Sequence, residues 1–368
     1  MFKIRGRYAT ANVYATNIEQ SAVAQILKMA NAPFSEGQNI AIMPDVHAGA
    51  GCTIGTTMTV GDRVCPNVVG VDLGCGMLTA DVGREELDLA HLDAKVRDVP
   101  SGASVWPTPR EPFDLTELRC HDELRNVERL DRSMGTLGGG NHFVEVERAE
   151  DGTNRLVIHS GSRNLGLQVA THYQRLAISE RRAAGDAKGT EDALCWLEGP
   201  TLEDYLHDVR VCQRFAKRNR EVMMEVICRA AGLEPTRTFH TIHNYIDVDE
   251  MILRKGAIAA HEGELVLIPL NMRDGSVLAR GRGNEEWNFS APHGAGRLLS
   301  RSEAKELLDL DEYRQQMLDA GIYTTSVSAS TLDEAPDAYK PMDDIIGPIS
   351  ESVDIVEVMR PIYNFKAH

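Results

Sequence analysis

The sequence predicts an α+β fold, with mixed β-sheets surrounded by helices and a helical insert at about 166–232. Three observations lead there. Short β-rich runs flanked by Gly, Pro or Asp recur along the chain. Two long stretches with helical apolar spacing fall together in its middle. Glycine-rich segments carrying polar side chains lie where predicted strands meet loops.

The predicted strands are Asn39 to Met43, Thr56 to Val60, Phe143 to Val146, Leu156 to His159, Thr238 to His243, Glu264 to Ile268 and Ile355 to Met359. Between the second and third, Pro100 to Pro112 reads as a loop, with four prolines around Trp106. In the insert, Gly166 to Ala184 places Val169, Tyr173, Leu176 and Ile178 at near-helical spacing. A longer helix is expected from Thr201 to about Ala231. Thr201 would be its N-cap, Glu203 and Asp204 stand in the first turn, and Tyr205, Val209, Phe215, Val222 and Val226 supply an apolar face. Leu298 to Leu308 reads as a further helix, which would put His293 near a helix N-terminus.

The chain has 368 residues, 42% of them hydrophobic and 26% charged, so a sizeable core is possible. No repeat or flexible linker divides it, and a single domain over 1–368 is expected. No apolar run follows the polar N-terminus or reaches membrane-spanning length, and the seven cysteines lack a repeating spacing. A soluble cytoplasmic protein with reduced thiols is expected, without a membrane partner and as a monomer. A net charge of −16 counts against broad nucleic-acid binding, so any RNA site has to be a local basic pocket.

Five segments gather ligand-capable side chains: Met43 to Gly51, Gly70 to Gly76, Gly138 to Glu145, His159 to Gly166 and Ala291 to Arg297. His240 to Asn244 is a sixth. Asp72 and Cys75, three apart among glycines, offer one hard and one soft ligand. That pairing suits a borderline divalent transition metal, although the motif alone also fits a buried cysteine in a strand turn. His142, His159 and His243 each lie at a strand end. Singly, each reads as a core or surface histidine sooner than as a ligand, but together with Asp72 and Cys75 they can furnish two metal positions if Cys75 bridges. His293 in P-H-G-A-G-R is nucleophile-capable, and Arg163 and Arg297 are phosphate donors; a glycine-rich turn with a structural histidine is the alternative. Asp45 and His47 fit either an acid/base pair or a capped turn.

In one chain and in this order, D-x-x-C, GGGNHF, HSGSR, HN and HGAGR resemble the RtcB family of RNA ligases, from MPDVHAGAG to the C-terminal RPIYNFKA. The resemblance implies an RtcB-like fold holding two manganese ions. Asp72, Cys75 and His142 would bind one, and Cys75, His159 and His243 the other. It also implies that His293 takes GMP from GTP, and that Asn141, Phe143, Glu145 and Lys366 line the guanylate pocket. Pro269, Asn271, Met272, Pro292, Gly294, Ala295 and Gly296 would be further nucleotide contacts. Guanine offers N1 and N2 donors to a carboxylate and its O6 acceptor to an ammonium, which suits Glu145 and Lys366. The implied reaction joins an RNA 3′-phosphate or 2′,3′-cyclic phosphate to a 5′-hydroxyl, in RNA repair or tRNA processing.

The chain departs from the family pattern at Pro269 to Asp274, where relatives read approximately P-G-S-M, and in the Pro100 to Pro112 loop; a divergent bacterial branch is expected. A dinuclear metal phosphoesterase and a non-catalytic RNA- or ribosome-binding protein are the competing readings. The first leaves HGAGR and Lys366 without a role, and the second leaves the full ligand set unexplained.

Overall fold

The computed structural model describes residues 1–186 and 190–366, and thirteen strands among them form one mixed sheet. From one edge, the hydrogen-bonded order is Phe2–Arg5, Thr10–Val13, Ile40–His47, Ile54–Thr59, Ile252–Lys255, Arg237–Asp247, Cys75–Asp81, Asn154–Ser160, Phe143–Arg148, Val353–Lys366, Gly275–Gly281 and Leu265–Asn271. Tyr323–Thr324 joins Val353–Lys366 off this path, in parallel, and Thr10–Val13 runs parallel to Ile40–His47; the other pairings are antiparallel. With helices packed around it, this is the mixed α and β architecture that the sequence predicts.

Each of the seven predicted strands is present, most of them longer at one or both ends. Cys75–Asp81 was not anticipated. It is buried from Cys75 to Ala80, so both faces are covered and no apolar alternation marks it. The insert is Arg163–Ala184 and Gly199–Ala231, joined through the short Leu197–Glu198 strand. Thr201 is not the N-cap: the helix starts at Gly199 after Glu198, and Pro200 fits its first turn with a preset φ. The Thr201 hydroxyl instead donates to Glu180 at 2.6 Å, tying the two insert helices together.

The helix expected after His293 also starts later, at Arg301, where Ser300 and Glu303 form a capping box. His293 follows the Ser290–Pro292 strand and lies in irregular chain, so no helix dipole acts on it. Trp106 in the Pro100 to Pro112 loop is buried, and its indole N–H donates to the Gly135 carbonyl.

Two cores cover the central strands. Val144 and Val146 join Leu78, Leu156 and Ile158 against Met223 and Ile227 of the second insert helix. Phe143 points the opposite way, into a cluster with Met77, Val157 and Leu267. Glu145 and Glu147 share the Phe143 face, because strand side chains alternate. All seven cysteines are buried and free. Among the described residues no helix is long and apolar enough to cross a membrane.

Candidate active site

Four adjacent strands bring distant histidines and a cysteine to one place. In sheet order they are Arg237–Asp247, Cys75–Asp81, Asn154–Ser160 and Phe143–Arg148. Register puts Gly76 opposite Ser160, and His159 opposite both Met77 and Phe143, so Cys75, His142 and His159 gather at the same strand ends. Ile242 faces Gly76 and Asn244 faces Cys75, which leaves His243 as the extra residue of a β-bulge. A bulge re-aims its side chain, here towards His159.

The resulting chain of contacts runs through five residues. His142 Nε2 lies 3.1 Å from Asp72 Oδ2 and 3.5 Å from Cys75 Sγ. Cys75 Sγ is 3.3 Å from His159 Nε2, which is 3.2 Å from His243 Nε2. His142 Nδ1 donates to the Leu137 carbonyl and His159 Nδ1 to that of Asn141, which turns each Nε2 inward. Among the described residues His243 Nδ1 has no partner, so His243 Nε2 can either donate to His159 Nε2 or, with its proton on Nδ1, face a cation together with it. Burial also lowers the pKa of His159 and His243 far below the usual imidazole value, so both rings are neutral and each can offer a lone pair to a metal ion. The Cys75 thiol is pushed up by burial and by Asp72. Burial opposes ionisation of Asp72, yet His142, helped by Arg163, holds its carboxyl at about 2. Cys75, His142 and His159 offer ligand atoms within 4.8 Å of one another, and this donor set fits a borderline metal ion.

His293 stands next to this centre, its ring centroid 5.0 Å from that of His243. Its Nδ1 donates to Asp45 Oδ2 at 2.6 Å, and its backbone N–H donates to the same oxygen at 3.2 Å. Asp45 is fully buried behind it. Gly296 makes this approach possible: at φ +75 a Cβ there would meet the Asp45 carbonyl oxygen at 2.3 Å. His47 Nδ1 donates to that same carbonyl at 2.9 Å, and burial lowers the His47 imidazole to about 4, so its Nε2 is a free acceptor.

A cavity opens over His159, His243 and His293. Of the expected nucleotide contacts, Asn141, Phe143, Glu145 and Lys366 line it, as do Pro269, Asn271, Met272 and Gly294 to Gly296; Pro292 does not. His47 and Arg297 also reach it. A second cavity, with Asn67, Lys255 and Asn244 on its walls, meets the centre at Asp72, Cys75, His243 and His293.

A family model described as "tRNA-splicing ligase RtcB" matches residues 25–111 and 116–367. The chain belongs to the RtcB family. It is 31% identical to the "RNA-splicing ligase RtcB" of Escherichia coli K12, an alignment covering 94% of each chain. It is 28% identical to the "tRNA-splicing ligase RtcB" of Aeropyrum pernix over 87% of this chain and 86% of that one. The same identity links it to the "RNA-splicing ligase RtcB" of Mycobacterium tuberculosis over 83% and 90%.

Within this RtcB frame the two candidate arginines are placed differently. Arg163 sits outside the first cavity, at φ +59, and donates to Thr136 Oγ1 at 3.2 Å and to the Gly102 carbonyl at 3.1 Å. It shares a basic pocket with Arg125 and Arg129. Arg297 lines the first cavity, but its guanidinium already donates to Leu299 O, Asp333 O and the Tyr339 hydroxyl. The divergent Pro269 to Asp274 stretch is a tight hairpin end, in which Asn271 Oδ1 accepts from the Arg273 and Asp274 backbones and Met272 packs under Tyr313.

Sequence reasoning missed several supporting residues. Glu334 and Tyr339 line the cavity; Glu334 accepts from Lys366 Nζ at 3.1 Å and from Arg301 at 2.7 Å. The acidic pair before proline in D-E-A-P-D-A-Y-K was the available signal. Asn364 donates to Glu145, and its position two residues before Lys366 on one strand would have placed both on the same face. Asn219 and Arg220, on the long insert helix, carried no periodic signal. Arg220 is fully buried and donates at 2.8 Å to the carbonyls of Gly74 and Ser160, the neighbours of Cys75 and His159.

Proposed function

We propose that this chain is a GTP- and manganese-dependent RNA ligase that joins 3′-phosphate or 2′,3′-cyclic phosphate ends to 5′-hydroxyl ends, working as a single catalytic domain. One observation carries the reading: a histidine locked through Nδ1 onto a buried carboxylate stands beside converging Cys75, His159 and His243 ligand atoms, at the floor of a cavity. A phosphoesterase has no use for that pair. Asp72, Cys75 and His142 would hold one manganese ion and Cys75, His159 and His243 the other; bound there, the ions supply Lewis-acid neutralisation of phosphate charge.

With Nδ1 committed to Asp45, the attacking atom is His293 Nε2. It bonds to the α-phosphorus of GTP as the bond to pyrophosphate breaks, and Asp45 offsets the charge that develops on the ring. Glu145 and Lys366 meet the guanine edge, and the Phe143 ring, with Lys366 Nζ 4.6 Å from its centroid, forms a wall. A cyclic phosphate is first opened by water to a 3′-phosphate. That phosphate takes GMP from His293, and the 5′-hydroxyl then displaces GMP with loss of its proton. The RNA enters through the second cavity, and Arg163, in the basic pocket with Arg125 and Arg129, holds its backbone.

The test uses α-labelled GTP and manganese, followed by denaturing electrophoresis and an end-joining gel. Label is expected on the unmodified protein and absent from His293→Ala, and only the 3′-phosphate/5′-hydroxyl pair should be joined. Joining of a 3′-hydroxyl to a 5′-phosphate alone refutes the reading.

A further inference from the structure

Glu147 is a charged side chain that this chemistry leaves unused. It follows Glu145 by two residues on one strand, so the two carboxyl groups share a face. It is fully buried, and neither of its oxygens has a hydrogen-bond donor. Among the described residues, the cations that face it are already paired. Opposite it stand Pro361 and Arg155, and the Arg155 guanidinium is engaged by Asp81 at 2.9 Å and Glu357 at 2.7 Å. Lys366 is paired with Glu334. The buried Ser276 hydroxyl, also without a partner, can serve one Glu147 lone pair and no more.

Two neighbouring buried carboxyl groups cannot both ionise, so one proton belongs to the pair. Burial pushes the Glu147 carboxyl far above the usual range, and the adjacent Glu145 pushes it further. Glu145 is also raised by burial, but hydrogen bonds from Glu147 and Asn364 and the charge of Lys366 act against that rise. Glu145 has the Asn364 amide as a donor and Glu147 has none, which assigns the shared proton to Glu147. A donor there resolves the missing contacts in a way that two carboxylates cannot.

We propose that Glu147 is a positioning residue for base recognition: its carboxylic O–H donates to Glu145 and, together with the Asn364 amide, presents the remaining Glu145 lone pairs to the cavity. This rests on the reading that Glu145 receives the N1 and N2 donors of guanine. A carboxylate fixed at both oxygens discriminates by leaving its own acceptors unpaired when adenine enters.

The experiment compares Glu147→Gln, whose amide keeps a donor, with Glu147→Leu, which has none, by nucleotide-dependent labelling and by infrared spectroscopy. In Glu147→Leu the KM for GTP should rise about tenfold, the loss of one hydrogen bond to a charged group. Its kcat and metal content should stay near the unmodified values, and its preference for GTP over ATP should shrink. Glu147→Gln should retain both KM and preference. The unmodified protein should show the carbonyl band of a protonated carboxylic acid, and Glu147→Gln should lose it. If Glu147→Leu fails to fold, the glutamine variant and the band still decide. Absence of the band, its persistence in Glu147→Gln, or equal KM values in the two variants overturns the proposal. If the unmodified protein takes no label from GTP, the guanine reading fails and this role falls with it; label with indistinguishable variants removes only the role of Glu147.

Discussion

At His293 the hydrogen bond to Asp45 fixes the tautomer as well as the ring. The lone pair must then lie on Nε2, and in the proposed attack the Asp45 carboxylate behind Nδ1 would offset the charge that builds up on the ring. Asp45→Asn preserves size but removes that charge and can present an N–H to the wrong nitrogen. We expect labelling by GTP to slow by roughly two to four orders of magnitude with little change in KM. Single-turnover labelling checks this, and a rate near that of the unmodified protein would contradict the assignment. Cys75 raises a different question, because it touches both His142 and His159. Cys75→Ala should lower the metal content by more than a terminal-ligand variant such as His142→Ala, as read by elemental analysis; equal losses would mean that the thiolate does not bridge. His47 sets a pH dependence. Its pKa is lowered to about 4 by burial, so below about 6.5 the unfolded chain binds a proton that the folded chain refuses. Stability of the metal-free protein should therefore fall from about pH 6.5 towards 4, and His47→Asn should flatten the slope of its thermal midpoint in that window.

At the scale of elements, glycines decide how closely strands and loops approach the centre, and two of them allow the two halves of the proposed reaction to be tested apart. Gly138 has φ +86, and a Cβ there would lie 1.6 Å from Arg163 Nη1. Gly138→Ala should displace the Arg163 guanidinium and raise the KM for RNA, while GTP labelling of His293 persists. Gly296→Ala should do the reverse, driving a methyl group into Asp45 and abolishing labelling. Similar effects of both variants on both readouts would show that the basic pocket and the nucleotide cavity are not separable. The long insert helix matters through Arg220, whose guanidinium clamps the ends of the two strands that carry Cys75 and His159. Arg220→Met leaves both carbonyls unpaired in the core and should weaken metal affinity by about 10- to 100-fold, the range for outer-shell changes. A chelator titration measures it.

For the whole molecule, an excess of acidic residues has to coexist with an RNA partner. A net charge of −16 repels a polyanion at long range, so on the proposed reading binding would depend on the small basic pocket of Arg125, Arg129 and Arg163. With about three phosphates neutralised, the slope of log affinity against log salt should be shallow, roughly −2 for single-stranded RNA. A steep slope would imply a much larger contact surface than this pocket supplies.

Much of this was legible in the sequence because local chemistry and tertiary structure agree. Short β-rich runs between turn residues located the strands, the 3.6-residue period located the insert helices, and glycine-flanked Asp, Cys and His residues marked the ligand-bearing loops. The sequence could name those residues but not how they meet, since that depends on which strands are neighbours. Sheet order alone brings Cys75, His142, His159 and His243 together, and a one-residue bulge turns His243 inward. Cys75–Asp81 escaped detection because a strand covered on both faces carries no alternation. The expected helix dipole at His293 was replaced by Asp45, which is distant in sequence and linked by a hydrogen bond that no local pattern encodes. Arg220 and Glu147 were silent for the same physical reason. A buried charge has meaning only through the groups that surround it, and those come from other strands and helices.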